Sequence, residues 1–321
     1  MPNPTFQSFV GIAKETVKGT AVAATAFIPV KTMTPVDHQT YLPDTGMRGS
    51  QVSNYGQIAS VTWAEYDFGG DVLPDTIGYP VAGILGDVTV VGATAPFTHA
   101  AAVKNSGDGQ PLSFTISDYN NITTRQLTAC QFSDLSFTFV AEGLLEYTAK
   151  AMGNITAPTT LPVRSYTLVP PIPSWRGVMT LGGSADLTVL DGTCDIKRTV
   201  TAIHTVDGTA AAYRFWAGPV TVTGKLAVVA ETEAQLLNYL NNTQPSIDIN
   251  FQQGAGAAAN GLLLHMSKAA YVTGQINRGK DYIGFDITYE AVANTTDIGT
   301  SGGYSPIKAT VTSALPAGTY A

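Results

Sequence analysis

The chain has 321 residues, of which only 13% are charged, with a formal net charge of -7 and two cysteines. That length predicts one large domain or two medium ones, with a core that needs no covalent staples. Ordinary globular proteins carry about 25% charged residues. A surface this poor in charge repels its own copies weakly and suits close packing against them, and its acidic balance excludes a phosphate-gripping basic face.

Cys130 and Cys194 share no CxxC spacing and read as two small buried hydrophobes. Met1-Pro-Asn-Pro-Thr5 has neither a basic nor an apolar signal region, and no apolar run approaches the ~20 residues of a membrane span. The expectation is a chain soluble when made, with no membrane partner.

In chain order, Val61–Phe68 predicts a strand that leads into a helix over Asp75–Leu85, capped by Asp75 and stopped by Gly86. A long loop follows. Period-two alternation then predicts strands over Leu112–Asp118, Leu127–Phe132, Leu135–Val140 and Leu145–Met152. The Pro-rich stretch Pro162–Pro173 predicts a hinge, because proline cannot continue a central strand.

Beyond it the order recurs. Strand Pro219–Val229 leads into helix Glu231–Leu240, where Thr232 and Gln235 match a capping box. Strands follow over Ser246–Phe251, Gly261–Ser267, Tyr271–Ile276 and Tyr282–Val292. The closing strands of the halves align without gaps, residues 145–154 over 285–294, with Glu146 over Asp286 and Thr148 over Thr288. This repeat of pattern predicts a mainly β chain: two tandem antiparallel β-sandwich or barrel domains, each with one flanking helix. Residues 1–161 would hold an N-terminal arm and the first domain, 174–297 the second domain, and 298–321 a C-terminal arm.

Motifs of catalysis and ligation are weak. His38, His99, His204 and His265 stand singly, none at ligand spacing from a Cys or a second His. Gly299-Thr-Ser-Gly-Gly303 matches a nucleophile elbow in letters only, since no Asp, Glu or His follows Ser301. Gly254-Ala-Gly256-Ala-Ala-Ala259 reads as a hairpin connection rather than a dinucleotide loop. The sequons at Asn121, Asn154, Asn241 and Asn294 carry no meaning in an unexported chain. No catalytic residue, metal or cofactor is expected. Trp63, Trp175 and Trp216 supply the rival reading, a glycan-binding adhesin or a virion decoration module, although tryptophans mostly anchor cores and interfaces.

Several segments together resemble the major tail (tail tube) proteins of siphophages, the actinobacteriophage type above all. They are Phe9-Val-Gly-Ile-Ala-Lys-Glu-Thr-Val-Lys-Gly-Thr20, Phe27-Ile-Pro-Val30, Met47-Arg-Gly-Ser50, Asp195-Ile-Lys-Arg-Thr-Val200 and Gly218-Pro-Val-Thr-Val-Thr-Gly-Lys-Leu226. Leu237–Pro245, Met266–Tyr271, Tyr289–Asp297 and Ser301–Pro306 complete the set.

The resemblance implies a curved β-sandwich flanked by a helix, whose inner sheets join around a ring into a barrel while the rings stack into a tube. The internal repeat suggests trimeric, pseudo-hexameric rings, with hexamers as the alternative. Expected partners are copies of the chain, the tape measure protein, the tail terminator and distal tail proteins, with double-stranded DNA passing unbound. Glu146, Thr148, Asp286, Thr288 and Glu290 are the expected lumen-facing residues, with Lys150 departing from their acidic pattern. The arm Met1–Thr25 and the Val36–Tyr55 loop are expected to reach the next ring, with Phe9, Ile12, Lys14, Glu15, Arg48 and Tyr304 as candidate contacts.

Overall fold

The computed structural model describes residues 4–120, 122–157, 163, 165–279 and 281–320. Met1–Asn3 of the expected arm, Asn121 of the first sequon, residues 158–161 at the first domain boundary, Pro162 and Arg164 of the expected hinge, and Ala321 lie outside them.

The first half runs β1 (Phe9–Lys14), β2 (Ala26–Ile28), β3 (Thr32–Asp44), β4 (Gly56–Asp71), α1 (Gly78–Leu85), β5 (Gly86–Val91), β6 (Phe97–Val103), β7 (Phe114–Tyr119), β8 (Thr124–Val140) and β9 (Glu146–Thr156). The second runs β10 (Gly177–Leu181), β11 (Ser184–Asp186), β12 (Val189–Ile203), β13 (Arg214–Val229), α2 (Ala234–Leu240), β14 (Ile247–Gln253), β15 (Asn260–Met266), β16 (Ala269–Asn277), β17 (Gly284–Ala291) and β18 (Lys308–Ser313). All strand pairings within the two sheets are antiparallel, and the sheets pack face to face as a β-sandwich.

The expected repeat is present in the pairing. The first half supplies a four-strand unit in the order β3-β4-β9-β8, and the second supplies β12-β13-β17-β16. In each half a helix and a strand pair, β5–β6 or β14–β15, stand between the first two strands of the unit and the last two. Pairing of β8 with β12 fuses the units into one sheet. The opposing sheet runs β11-β10-β14-β15-β18-β6-β5, so both sheets cross from one half into the other.

Alternation builds the core between them. On β9, Tyr147, Ala149 and Ala151 are buried, and on β17 Phe285, Ile287 and Tyr289 are buried. They meet Ile249, Phe251, Leu262, Leu264 and Val311 of the opposing sheet, with the Phe139 and Phe251 rings 5.4 Å apart. At about 25 cal/mol per Å² of apolar area, this single large cluster dominates the favourable side of folding.

Helix α1 ends at Gly86, whose φ of 90° suits glycine. Asp75 is not its cap: the helix starts later, after Ile77, with no side-chain cap. All eight residues of α1 are buried. The buried guanidinium of Arg198 donates to the Ile84 carbonyl at 2.8 Å and to the Gly218 carbonyl, placing positive charge at the negative end of the helix. In α2 the capping box does not form, because Gln235 instead accepts from the Tyr271 hydroxyl at 2.9 Å. Leu236 packs on the core while Leu237 and Leu240 stay exposed.

Three expectations are corrected. The loop Val36–Tyr55 is mostly the β3–β4 hairpin, whose prolines Pro35 and Pro43 disguised an outer strand. The stretch read as a long loop after α1 holds β5 and β6. The C-terminal arm contains β18, held between β15 and β6 with Ala309, Val311 and Ser313 inward, a pattern whose small residues give little hydrophobic contrast.

Gly83 of α1 lies against Phe132, where an added Cβ would stand 2.3 Å from the ring. Gly83→Val is therefore expected to cost about 1–3 kcal/mol, read as a lower urea midpoint at unchanged m-value.

Candidate functional site

The face of the large sheet that turns away from the core is broad and polar. Its side chains come from every second position of the eight strands that run from β16 to β3. One transverse row reads Thr273, Thr288, Lys225, Thr193, Thr138, Glu146 and Asp71. The next reads Glu290, Thr223, Asp195, Ser136, Thr148, Gly69 and Thr32. Asp286 stands in a third row beside Gln275, Ala227 and Asp191. The structure thus places Glu146, Thr148, Asp286, Thr288 and Glu290 on one continuous face, and leaves Asp286 and Glu290 exposed.

Carboxylates outnumber ammonium groups here, and most of the cations are tied. Lys31 bridges Asp71 and Glu146, each at 2.6 Å. Lys150 reaches Glu65 at 2.7 Å, which resolves its departure from the acidic pattern: the ammonium is drawn sideways along the sheet. Lys197 lies 3.8 Å from Asp134. Hydrogen bonds to Asp71 and Glu146 hold the Lys31 ammonium above the ordinary lysine value, and the bond to Glu65 does the same for Lys150. A raised folded value means these pairs persist at neutral pH and are lost only as pH climbs past it.

The candidate contact residues divide. Phe9 and Ile12 are 3% and 0% exposed, because β1 is paired on both sides and Phe9 stacks on Tyr119 at 4.4 Å. Neither reaches the surface. Glu15 is also buried, and its carboxylate accepts from Gly19 N, Ala129 N and the Thr115 hydroxyl at 2.8, 2.8 and 3.1 Å. It secures the bulge of β8, where Ala129 has a φ of 54°. Lys14 is half-buried, and Tyr304 is 64% exposed. Arg48 pairs with Asp44 and covers the Tyr55 ring at 5.0 Å, so it braces the hairpin tip. That tip exposes Tyr41, Leu42, Met47, Val52 and Ile58.

Chemistry missed in the sequence gathers around His265. Its Nδ1 meets Asp248 and its Nε2 lies 3.1 Å from the Ser267 hydroxyl, which donates to the fully buried Asp297 at 2.7 Å. Asp297 also accepts from Ser267 N and from the Asn294 amide. The serine proton is committed to Asp297, so the cluster fastens the segment after β17 to β15 instead of presenting a nucleophile. Only the pairing of β14 with β15 puts Asp248 opposite His265, and no local spacing reveals it.

The Gly299–Gly303 stretch is likewise a clasp. Burial would raise the Asp87 carboxyl, yet donors from Ser301 and Thr300 outweigh it and hold it below the usual range. Gly254–Ala259 connects β14 to β15 as expected. Cys130 and Cys194 are free and buried, and burial pushes the Cys194 thiol up to about 12. Trp63 stacks on His38, Trp216 lies on β13, and Trp175 lines a separate groove with Arg176 and Leu168.

A β-sandwich that devotes one wide polar sheet face to its surroundings, over a chain so poor in charge, defines a sheet-building structural subunit. The family model described as phage tail tube protein matches residues 5–293, and the chain belongs to that family. It is a structural component of the virion that assembles with its own copies into a tube. No curated protein sequence matches it.

The Lys31 ammonium is half exposed, so its two ion pairs contribute little. Lys31→Met is expected to change stability by less than about 1 kcal/mol in urea unfolding, while making the polar face more negative.

Proposed function

We propose that this protein forms the tail tube of a long, non-contractile siphophage tail, stacking into rings whose lumen conducts DNA during ejection. The observation that carries the reading is the continuous polar face, with carboxylates in excess and most of its lysines tied, Lys225 apart. Each free cation facing phosphate would add an attraction driven by counterion release, and a wall of Thr, Ser and carboxylate avoids it. Glu146, Thr148, Asp286, Thr288 and Glu290 would line this lumen.

The two four-strand units support trimeric rings with pseudo-six-fold symmetry over hexamers of the whole chain. The apolar hairpin tip around Met47, with Lys14 and Tyr304 as further contacts, would engage the neighbouring ring. The tube ends would meet the tape measure, terminator and distal tail proteins, with assembly in the host cytoplasm. Nothing in this role calls for catalysis.

The test combines electron microscopy with DNA binding. Concentrated protein should give tubes of stacked rings with six-fold projected density. Asp286→Lys with Glu290→Lys should leave tubes intact but make them retain double-stranded DNA at low salt, with retention falling steeply as salt rises. Tubes of the doubly substituted chain that stay indifferent to DNA would remove these residues from the lumen.

A further inference from the structure

We propose that rings close by pairing β16 of one copy with β3 of the next, in the register that β8 and β12 already use inside the chain. This rests on the tube reading and specifies its joint.

The argument begins with the repeat. In the unit β3-β4-β9-β8 the outer strands are β3 and β8, and in β12-β13-β17-β16 they are β12 and β16. Strand β8 therefore corresponds to β16, and β12 to β3. The chain joins β8 to β12. The equivalent strands left over are β16 and β3, and among the described residues each has one partner strand, β17 and β4. One more application of the same joint adds the next copy.

Composition agrees. Ala269–Asn277 carries no charge, and neither does Thr32–Val36. Sheet proteins that remain single guard such edges with charge, usually lysine, because a bare edge templates further pairing. Here the two facing stretches are bare, with Lys31 and Asp37 flanking the one on β3, and Val272 and Val36 on them are 55% and 38% exposed.

The register can be transferred. Thr138 faces Glu146 as Gln275 faces Asp286, so Gln275 takes the place of Thr138. Thr193 reaches Thr288 through Lys225 as Thr32 reaches Thr148 through Gly69, so Thr32 takes the place of Thr193. Thr138 faces Thr193 within the chain. Gln275 then faces Thr32 of the next copy, and Thr273 faces Thr34, which keeps the polar face continuous. The bulge residue Val272 falls near Pro35, so a break in one ladder meets the residue that lacks a donor.

The test uses the full chain with Thr32→Cys and Gln275→Cys, treated with a short bifunctional thiol reagent once micrographs show rings or tubes. The native thiols are buried and do not compete. Covalent multimers should form, with the two engineered positions linked in peptide mass spectra. Thr32→Cys with Asn277→Cys, two residues out of register, should link at least ten-fold less. A separate variant, Val272→Lys, should stay folded by circular dichroism and fail to assemble.

Tubes in which the shifted pair links equally well, or in which neither pair links, overturn this joint while leaving the tube reading intact. Tubes of Val272→Lys like those of the unsubstituted chain do the same. An unsubstituted chain that stays single at every concentration ends both.

Discussion

The junction of β8 with β12 is the interaction on which the rest of the architecture depends. Every strand of a sheet presents backbone N–H and C=O groups along its sides that need partners, and an open edge leaves a row of them unpaired. By spending one edge of each four-strand unit on the other, the chain makes a single sheet wide enough to cover a common core. The register of that joint sets more than pairing. A slip of one residue would turn Phe137 and Cys194 outward and Ser136 and Asp195 inward. Alignment of the two polar faces into one surface follows from the same register, and so does burial of the two aromatic faces against the opposing sheet.

The polar face shows how a sheet manages electrostatics without losing solubility. Threonine and serine occupy much of it, giving hydroxyl groups that pair with one another, as Thr273 and Thr288 do at 2.6 Å. Lys31, Lys150 and Lys197 sit beside carboxylates that neutralise them locally, and the remaining carboxylates set the sign. In a confined channel, such a wall offers phosphate neither a strong anchor nor a strong barrier at physiological salt, where charges are screened over about 8 Å.

Much of this was legible in the sequence, for a physical reason. Strands with a hydrophobic face and a polar face announce themselves, so β7, β9, β13, β14, β15, β16 and β17 lie close to where alternation places them. The gapless alignment of β9 with β17 pointed to residues that share one face. What was not legible depends on neighbours distant in the chain. Predicted strands Leu127–Phe132 and Leu135–Val140 are one strand, β8, because β9 pairs with it on both sides of a bulge between Phe132 and Asp134. Phe9 and Ile12 read as arm residues because nothing local shows that β7 and β2 enclose them. The His265 cluster and the burial of β18 are created by sheet order alone.

Duplication within one chain also changes what each joint is free to become. In a ring of identical small subunits, every joint carries the same residues. Here the joint within the chain differs from the outer edges. Between β8 and β12, Asp134 approaches Lys197 and the Ser136 hydroxyl meets Asp195, so charge is tolerated where the linker keeps the partners together. The transferred register sets Thr34 in the place of Asp195 and Val36 in that of Lys197, leaving those two outer positions uncharged and one of them apolar. Tethering raises the effective concentration of the inner joint to the millimolar range without any further contact. The proposed outer joint would form between separate molecules, where burial of apolar groups serves better than exposed ion pairs, which salt weakens.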